Sequence, residues 1–145
     1  MRKVLILIAA VLLTTGIFFP LAYLRIPLGE PKLRIEFYPS PPWQVKPGDS
    51  FEVSIGVAND GWLLAWAKDV RVNIVLPEGL TSSHTGTNEC ELNFFSLHGG
   101  DGLGGGITIV VPRDMPPGNY TITIKLYAEN VPEKTFTPQI IVLAA

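Results

Sequence analysis

The sequence predicts an all-β fold: an immunoglobulin-like β-sandwich of about seven strands, preceded by one N-terminal transmembrane or signal helix. Three observations lead to this prediction. Apolar and polar residues alternate in several short stretches, which is typical of strands with one buried face. Turn signals rich in proline and glycine separate these stretches every 10–15 residues or so. No helical periodicity is present after the N-terminal apolar run.

The clearest strand is predicted between residues 118 and 128. A turn signal, Pro116-Pro117-Gly118, comes before it. Apolar positions then alternate with polar ones, which predicts one buried face and one wet face. The inward set is Tyr120, Ile122, Ile124 and Leu126, and the outward set is Thr121, Thr123, Lys125 and Tyr127.

Six further strands complete the predicted sandwich. The prolines of residues 39–46 argue against a central strand there and favour a sheet edge or a crossing between sheets. Pro138 in the last strand likewise indicates an edge or a bulge. Residues 99–106 are predicted to be a glycine-rich loop. The six other strands are predicted near residues 33–38, 51–57, 70–76, 92–97, 107–111 and 135–143.

Composition bounds the class of protein. A chain of 145 residues predicts one domain, and a formal net charge of -2 argues against a nucleic-acid binder. Cys90 is the only cysteine, so an intrachain disulfide is excluded.

The N-terminal segment predicts a membrane anchor or a signal peptide. Arg2 and Lys3 precede an uncharged run that continues to Arg25. The run is long enough to span a bilayer, whereas Pro20 disfavours signal cleavage after Ala22. We therefore divide the chain into an anchor or signal peptide (1–25), a linker (26–32) and a sandwich domain (33–145). The domain is expected to be extracytoplasmic, either anchored to the membrane or secreted.

Three stretches carry a resemblance to known domains: VKPGDSFEVSIGVANDG, DVRVNIVLPEGL and GGITIVVPRDMPPGNYTITIKLYAE. This pattern resembles the NEW-type immunoglobulin-like domain found beside carbohydrate-binding modules in α-galactosidases. It is also similar to the cell-adhesion-related CARDB domains of bacteria and archaea. The shared features are a Pro-Gly turn before a strand, an Asn-x-Gly after it and a late G-x-Y strand. The resemblance implies an accessory module on a membrane-bound or secreted protein.

Residues 62–66, WLLAW, form an unusually apolar segment between two predicted strands. One interpretation is an exposed contact loop in which Trp62, Leu63, Leu64 and Trp66 touch a protein, a glycan or the bilayer. The other is a loop that folds back to cap the open end of the sandwich. Trp43, among prolines, is expected in the core.

Other candidate sites receive weaker support. His84, Cys90, His98 and Met115 could suit copper, but Cys90 and His98 are too far apart for ligands that share one tight loop. The run HGGDGLGGG lacks the Lys-Ser/Thr ending of a phosphate loop, so no nucleotide binding is expected. Asn119-Tyr120-Thr121 is a candidate glycosylation sequon.

The sequence contains no recognisable catalytic motif, and no cofactor or metal site is predicted. The favoured hypothesis is a non-catalytic domain at the cell surface that mediates protein or glycan contact, or assembly. The alternatives are a metal-binding, cupredoxin-like protein and an accessory subunit of a membrane-bound enzyme complex.

Overall fold

The computed structural model describes residues 29–145, which form an all-β fold without a helix. The predicted anchor or signal peptide (1–25) and the first linker residues (26–28) lie outside the described residues. Within the described part, no helix is long and apolar enough to cross a membrane.

Eleven short strands make up the described part of the chain. Their bounds are β1 (Leu33–Tyr38), β2 (Trp43–Val45), β3 (Ser50–Asn59), β4 (Ala67–Val75), β5 (Thr81–Ser82), β6 (Glu89–Leu97), β7 (Gly102–Val110), β8 (Gly118–Thr121), β9 (Thr123–Ala128), β10 (Val131–Phe136) and β11 (Gln139–Val142).

The strands form three sheets around one hydrophobic core. The first sheet has the order β1-β3-β7-β5, and the second has the order β10-β9-β4-β6. A third sheet, β2-β11-β8, contains the parallel pair of β2 and β11. The core draws apolar side chains from all three sheets, such as Ile55, Ile74 and Ile140. Each such side chain stabilises the fold by about 1.5–3 kcal/mol through burial.

The predicted alternation in residues 118–128 is confirmed. Ile122, Ile124 and Leu126 are buried, whereas Thr121 and Lys125 are exposed. The same period of two is present in β3 and β4, whose inward residues are buried. This pattern puts the apolar face of each strand against the shared core.

The expected number of about seven strands was wrong, because two of the predicted strands are each divided and two short strands, β2 and β5, were not predicted. The strand predicted at 118–128 is interrupted at Ile122, whose backbone N–H donates to the carbonyl of Pro138. Strand β8 pairs with β11, and β9 pairs with β4, so the chain changes sheets at this point. The strand predicted at 135–143 is divided in the same way around Pro138.

The glycine-rich loop predicted at residues 99–106 was also wrong over most of its length. Strand β7 begins at Gly102 and pairs continuously with β3, for example Gly56 with Gly104. Glycine gives no alternation of side chains, so the sequence pattern did not reveal this part of the strand. The edge position predicted for residues 39–46 is confirmed, because β2 lies at the edge of its sheet.

The two ends of the domain differ in the chain segments they hold. We call the end at which the chain enters the domain the entry end. It contains residues 29–32, 59–68, 97–101 and 128–131, which are joined by hydrogen bonds such as Glu129 N to Lys68 O at 2.8 Å. The opposite end contains the C-terminus, where Leu143 N donates to Val45 O at 2.9 Å. Strand β3, ten residues long, spans the roughly 30 Å between them.

We predict that Ile124→Ala lowers the free energy of unfolding of the full chain by about 2–5 kcal/mol, because it leaves a cavity in the shared core. Lys125→Ala, at the neighbouring outward position, should change it by less than about 0.5 kcal/mol. Denaturant unfolding measures both values, and equal losses would contradict the assigned faces of β9.

Candidate functional site

A buried asparagine organises the entry end. The Asn59 side chain lies at the end of β3 and is only 1% exposed. Its Oδ1 accepts hydrogen bonds from the backbone N–H groups of Lys32 and Gly61, both at 3.0 Å. Its Nδ2 donates to the carbonyls of Ala65 at 2.6 Å and Leu97 at 3.1 Å. All four hydrogen-bonding positions of the amide are therefore used.

The backbone around Asn59 strengthens this arrangement. Asn59 N donates to Asp101 O at 2.9 Å, and Asn59 O accepts from Gly100 N at 2.7 Å. Asp60 N donates to Lys32 O at 2.8 Å. The segment that enters the domain, the 60–66 loop and the connection from β6 to β7 are consequently fastened to a single residue. The end of the predicted linker is bonded to the domain at Lys32.

The apolar loop divides into an inner and an outer half. Leu64 and Trp66 are buried and cap the core, as does Ala65 between them. Trp62 is 53% exposed and Leu63 is 70% exposed. Of the four residues proposed as a contact loop, two therefore lie inside the domain and two lie at its surface. We call Trp62 and Leu63 the apolar tip.

Glycines on both sides hold the apolar tip in place. The backbone of Gly99 lies directly against the carbonyl of Trp62, where a Cβ atom could not fit. Gly29 lies against the indole ring of Trp62, and its positive φ of 90° also favours glycine. Ala65 N donates to Trp62 O at 2.8 Å and closes a turn. The tip is therefore presented outward by a tightly packed loop.

His98 and Asp101 form a hydrogen bond beside the loop. His98 Nδ1 lies 2.6 Å from Asp101 Oδ2, and the imidazole packs edge-on against the ring of Trp66. The hydrogen bond from His98 lowers the pKa of the Asp101 carboxyl. Both side chains are partly exposed, and the pair shapes the turn between β6 and β7.

The candidate copper ligands are not brought together. Cys90 and His98 lie at opposite ends of β6, about 25 Å apart for an extended strand. Cys90 faces the core, and burial raises the pKa of its thiol. Met115 packs against Gly79 at the end of the domain that lies opposite to His98. Among residues 29–145, no group of three or more His, Cys, Asp or Glu side chains is arranged to hold a metal ion.

The candidate glycosylation residue, Asn119, is exposed on β8 opposite Ile141. Its modification stays a prediction.

A surface that the sequence prediction missed lies on the outer face of the first sheet. Small residues face outward in matched positions on β3 and β7, and the pairs are Ala58 with Gly102, Gly56 with Gly104 and Ser54 with Gly106. They form the floor of a shallow groove with a volume of about 350 Å³, which continues into a second depression of about 270 Å³.

Side chains from β1 and from one end of β3 border this groove. Tyr38, which is 80% exposed, and Glu36 stand on the β1 side, and Glu52 stands at one end. The sequence does contain a signal for the floor. Glycine recurs at 102, 104 and 106, the spacing of one face of a strand.

Comparisons with known proteins bear on the fold. No protein-family model matches the chain, and no curated protein matches it at a significant level. Among solved structures, the crystal structure of the CARDB domain of the PF1109 protein from Pyrococcus furiosus, in complex with di-metal ions, has a TM-score of 0.56 and 17% identity. The match covers 81% of this chain and 93% of that one. The described residues have a CARDB-like fold.

Two further structures accompany this result. The solution structure of the same CARDB domain has a TM-score of 0.52 and 18% identity, and the match covers 80% of this chain and all of that one. The macrocyclisation catalyst AvmM of alchivemycin A biosynthesis has a TM-score of 0.58 and 10% identity, with coverage of 78% and 89%. The solved structures with a similar fold thus include an enzyme, and the fold alone does not decide the function.

We predict that Asn59→Ala destabilises the full chain by about 2–4 kcal/mol, because it leaves buried N–H and carbonyl groups without partners. Asn73→Ala, on the half-exposed outer face of β4, serves as the matched control and should cost less than about 0.5 kcal/mol. Denaturant unfolding compares the two variants. Equal, small effects would show that the Asn59 amide does not organise this end.

A pH dependence is predicted for the ion pair between Arg34 and Asp60, whose atoms Nε and Oδ2 lie 2.8 Å apart. The hydrogen bond from Arg34 lowers the pKa of Asp60. A lowered pKa contributes stability above the ordinary carboxyl pKa, and this contribution is lost as the pH falls through the folded-state value. Asp60→Asn should therefore be slightly less stable than the wild type at pH 7, and the difference should disappear once the pH has fallen below the lowered pKa of Asp60. Thermal unfolding across this range tests the sign, and a difference that grows in acid would contradict it.

Proposed function

We propose that the chain is a non-catalytic domain, held at the extracytoplasmic face of a membrane by its N-terminal segment, that makes contact with a protein or glycan partner at the cell surface. The outer face of the first sheet is the proposed contact surface. The observation that carries this proposal is the groove floored by small residues and bordered by the exposed ring of Tyr38.

The groove suits a flat or extended ligand. Its floor of Gly, Ala and Ser allows close approach to the backbone of β3 and β7. Tyr38 supplies an aromatic face and a hydroxyl group, and Glu36 and Glu52 supply hydrogen-bond acceptors. These groups would fit the hydroxyl-rich face of a glycan or the side chains of an extended peptide.

Both imidazole groups have partners within turns. His98 Nδ1 is engaged by Asp101 at 2.6 Å in a turn that packs on Trp66. His84 lies in an exposed turn, 3.4 Å from the hydroxyl of its neighbour Ser83. A nucleophilic site needs a nucleophile, a base and a third group that orients the base. Neither imidazole belongs to such a set among the described residues.

The proposed location follows from the N-terminal sequence. Residues 4–24 carry no charge and reach the length of about 20 residues that spans a bilayer. The N-terminus is short and basic, which favours its location on the cytoplasmic side of the membrane. The sandwich domain would then lie on the outer side. A secreted form, released by signal cleavage, is the alternative.

We predict that Tyr38→Ala and Gly104→Val each abolish most of the partner capture by tagged full-length protein from native membranes, or most of its binding to a glycan array. The first change removes the aromatic border and the second fills the groove. A Cβ atom at Gly104 would meet only the Ile55 carbonyl, at 3.8 Å, so the strand should tolerate valine.

Lys125→Val, on the outer face of the second sheet, is the matched control and should capture as well as the wild type. Unfolding temperatures close to the wild-type value would show that both groove variants are folded. Undiminished capture by those variants would reject the groove as the contact surface. A wild-type protein that captures no protein or glycan would reject the contact function itself.

A further inference from the structure

The apolar tip, Trp62 and Leu63, exposes large apolar side chains on a loop whose other half is buried. Solvation of an indole ring and a leucine side chain is unfavourable, and folding the tip inward as well would remove this cost. The loop is instead held with the tip outward by the Asn59 amide, by the Trp62–Ala65 turn and by the close contact with Gly99. These contacts present a preformed apolar surface.

The tip lies where the chain enters the domain. The indole of Trp62 contacts Gly29, the first described residue. The Lys32 backbone is bonded to Asn59 and Asp60 on the same side of the domain. The C-terminus lies at the opposite end, roughly 30 Å away along β3, and Tyr38 pairs with Ser54, roughly 17 Å from Asn59.

The length of the connecting chain fixes how far the tip can be from the apolar N-terminal run. Four residues lie between Leu24, the last residue of that run, and Gly29, so five Cα-to-Cα steps join the two. The fully extended reach of these steps is about 17 Å. The headgroup layer on one side of a bilayer is about 5–7 Å thick. A domain anchored by residues 4–24 therefore keeps its apolar tip within reach of the headgroup layer at all times.

The chemistry of this end suits a bilayer interface. Tryptophan is enriched at that depth because one part of the ring is apolar and its N–H is polar. Asp60 is paired with Arg34, and Asp101 accepts a hydrogen bond from His98. Glu30 and Lys32, both exposed on the entry segment, have opposite charges. The surface around the tip thus has no strong net charge to oppose approach to lipid.

We propose that Trp62 and Leu63 insert into the headgroup region of the bilayer that holds the N-terminal segment. This inference rests on the membrane anchorage in the proposed function. Docking would hold the long axis of the domain away from the membrane, with the groove face to the side. The tether makes the contact intramolecular, so two side chains suffice where a free protein would need more.

Quenching of tryptophan fluorescence tests the proposal. Full-length protein is reconstituted into phosphatidylcholine vesicles with and without bromine atoms on the lipid chains. The chain has three tryptophans, of which Trp43 lies at the far end and Trp66 is buried. Brominated lipid should quench the wild-type emission, and Trp62→Ser should lose most of that quenching. Leu63→Ser should reduce it as well.

Tyr38→Ser, which removes an exposed aromatic ring roughly 17 Å from the entry end along the sheet, should leave the quenching unchanged. Equal quenching of the wild type and the Trp62→Ser variant would overturn the inference. So would protection of Trp62 from aqueous iodide in native membranes but not in lipid vesicles, since this result would indicate a protein partner.

Carbonate extraction of the same vesicles separates this inference from the proposed function. Protein that stays with the lipid after extraction, but whose Trp62 is not quenched, would overturn the docking of the tip and leave the anchorage intact. Protein released by carbonate would overturn the anchorage on which both depend.

Discussion

One buried side-chain amide connects the parts of this protein that bear on its function. Asn59 satisfies two donors and two acceptors from chain segments that are far apart in sequence. An amide in the core is unfavourable unless all its hydrogen bonds are made. Only one arrangement of the entry segment, the apolar loop and the turn between β6 and β7 meets this requirement. The position of Trp62 and Leu63 therefore follows from a constraint in the interior.

The same constraint relates the two proposed surfaces. Strand β3 carries Asn59 at the entry end, and its outer residues form part of the groove floor further along. A rigid strand fixes the angle between the apolar tip and the groove. If the tip rests on a bilayer, the groove opens parallel to the membrane, where a neighbouring surface molecule could reach it. The C-terminus then points away from the membrane.

Much of the fold could be predicted from the sequence, since β3, β4 and β9 have buried and exposed faces that alternate along the chain. The change of sheet at Ile122 could not, because it depends on the hydrogen bond to Pro138 from a distant segment. The start of β7 was missed because glycines carry no side chains that could alternate. The apolar loop was interpreted as either a contact or a cap, and its burial shows features of both. Only tertiary packing against Gly99 and Asn59 explains why Trp62 is exposed and Trp66 is buried.

In the sequence, Asn59 stood out only as the first residue of the Asn-x-Gly that follows a predicted strand. An Asn-x-Gly sequence does indicate a turn, and the bond from Gly61 N to Asn59 Oδ1 is that local part. The other three bonds join the amide to Lys32, Ala65 and Leu97, and two of these partners lie far away in the sequence. Local sequence cannot report such partners. The groove could not be predicted for the same reason. It depends on β3 lying beside β7, a pairing of residues about 50 positions apart.

Native-state hydrogen exchange of the Lys32 and Gly61 amides shows whether Asn59 holds the entry end together, because both N–H groups donate to the Asn59 side chain. We expect these two amides, although they lie outside any strand, to exchange as slowly as the paired amides of β3 and β4. Exchange of both at the rate of exposed loop amides would rule out this role of Asn59, since the entry end would then open without unfolding the core.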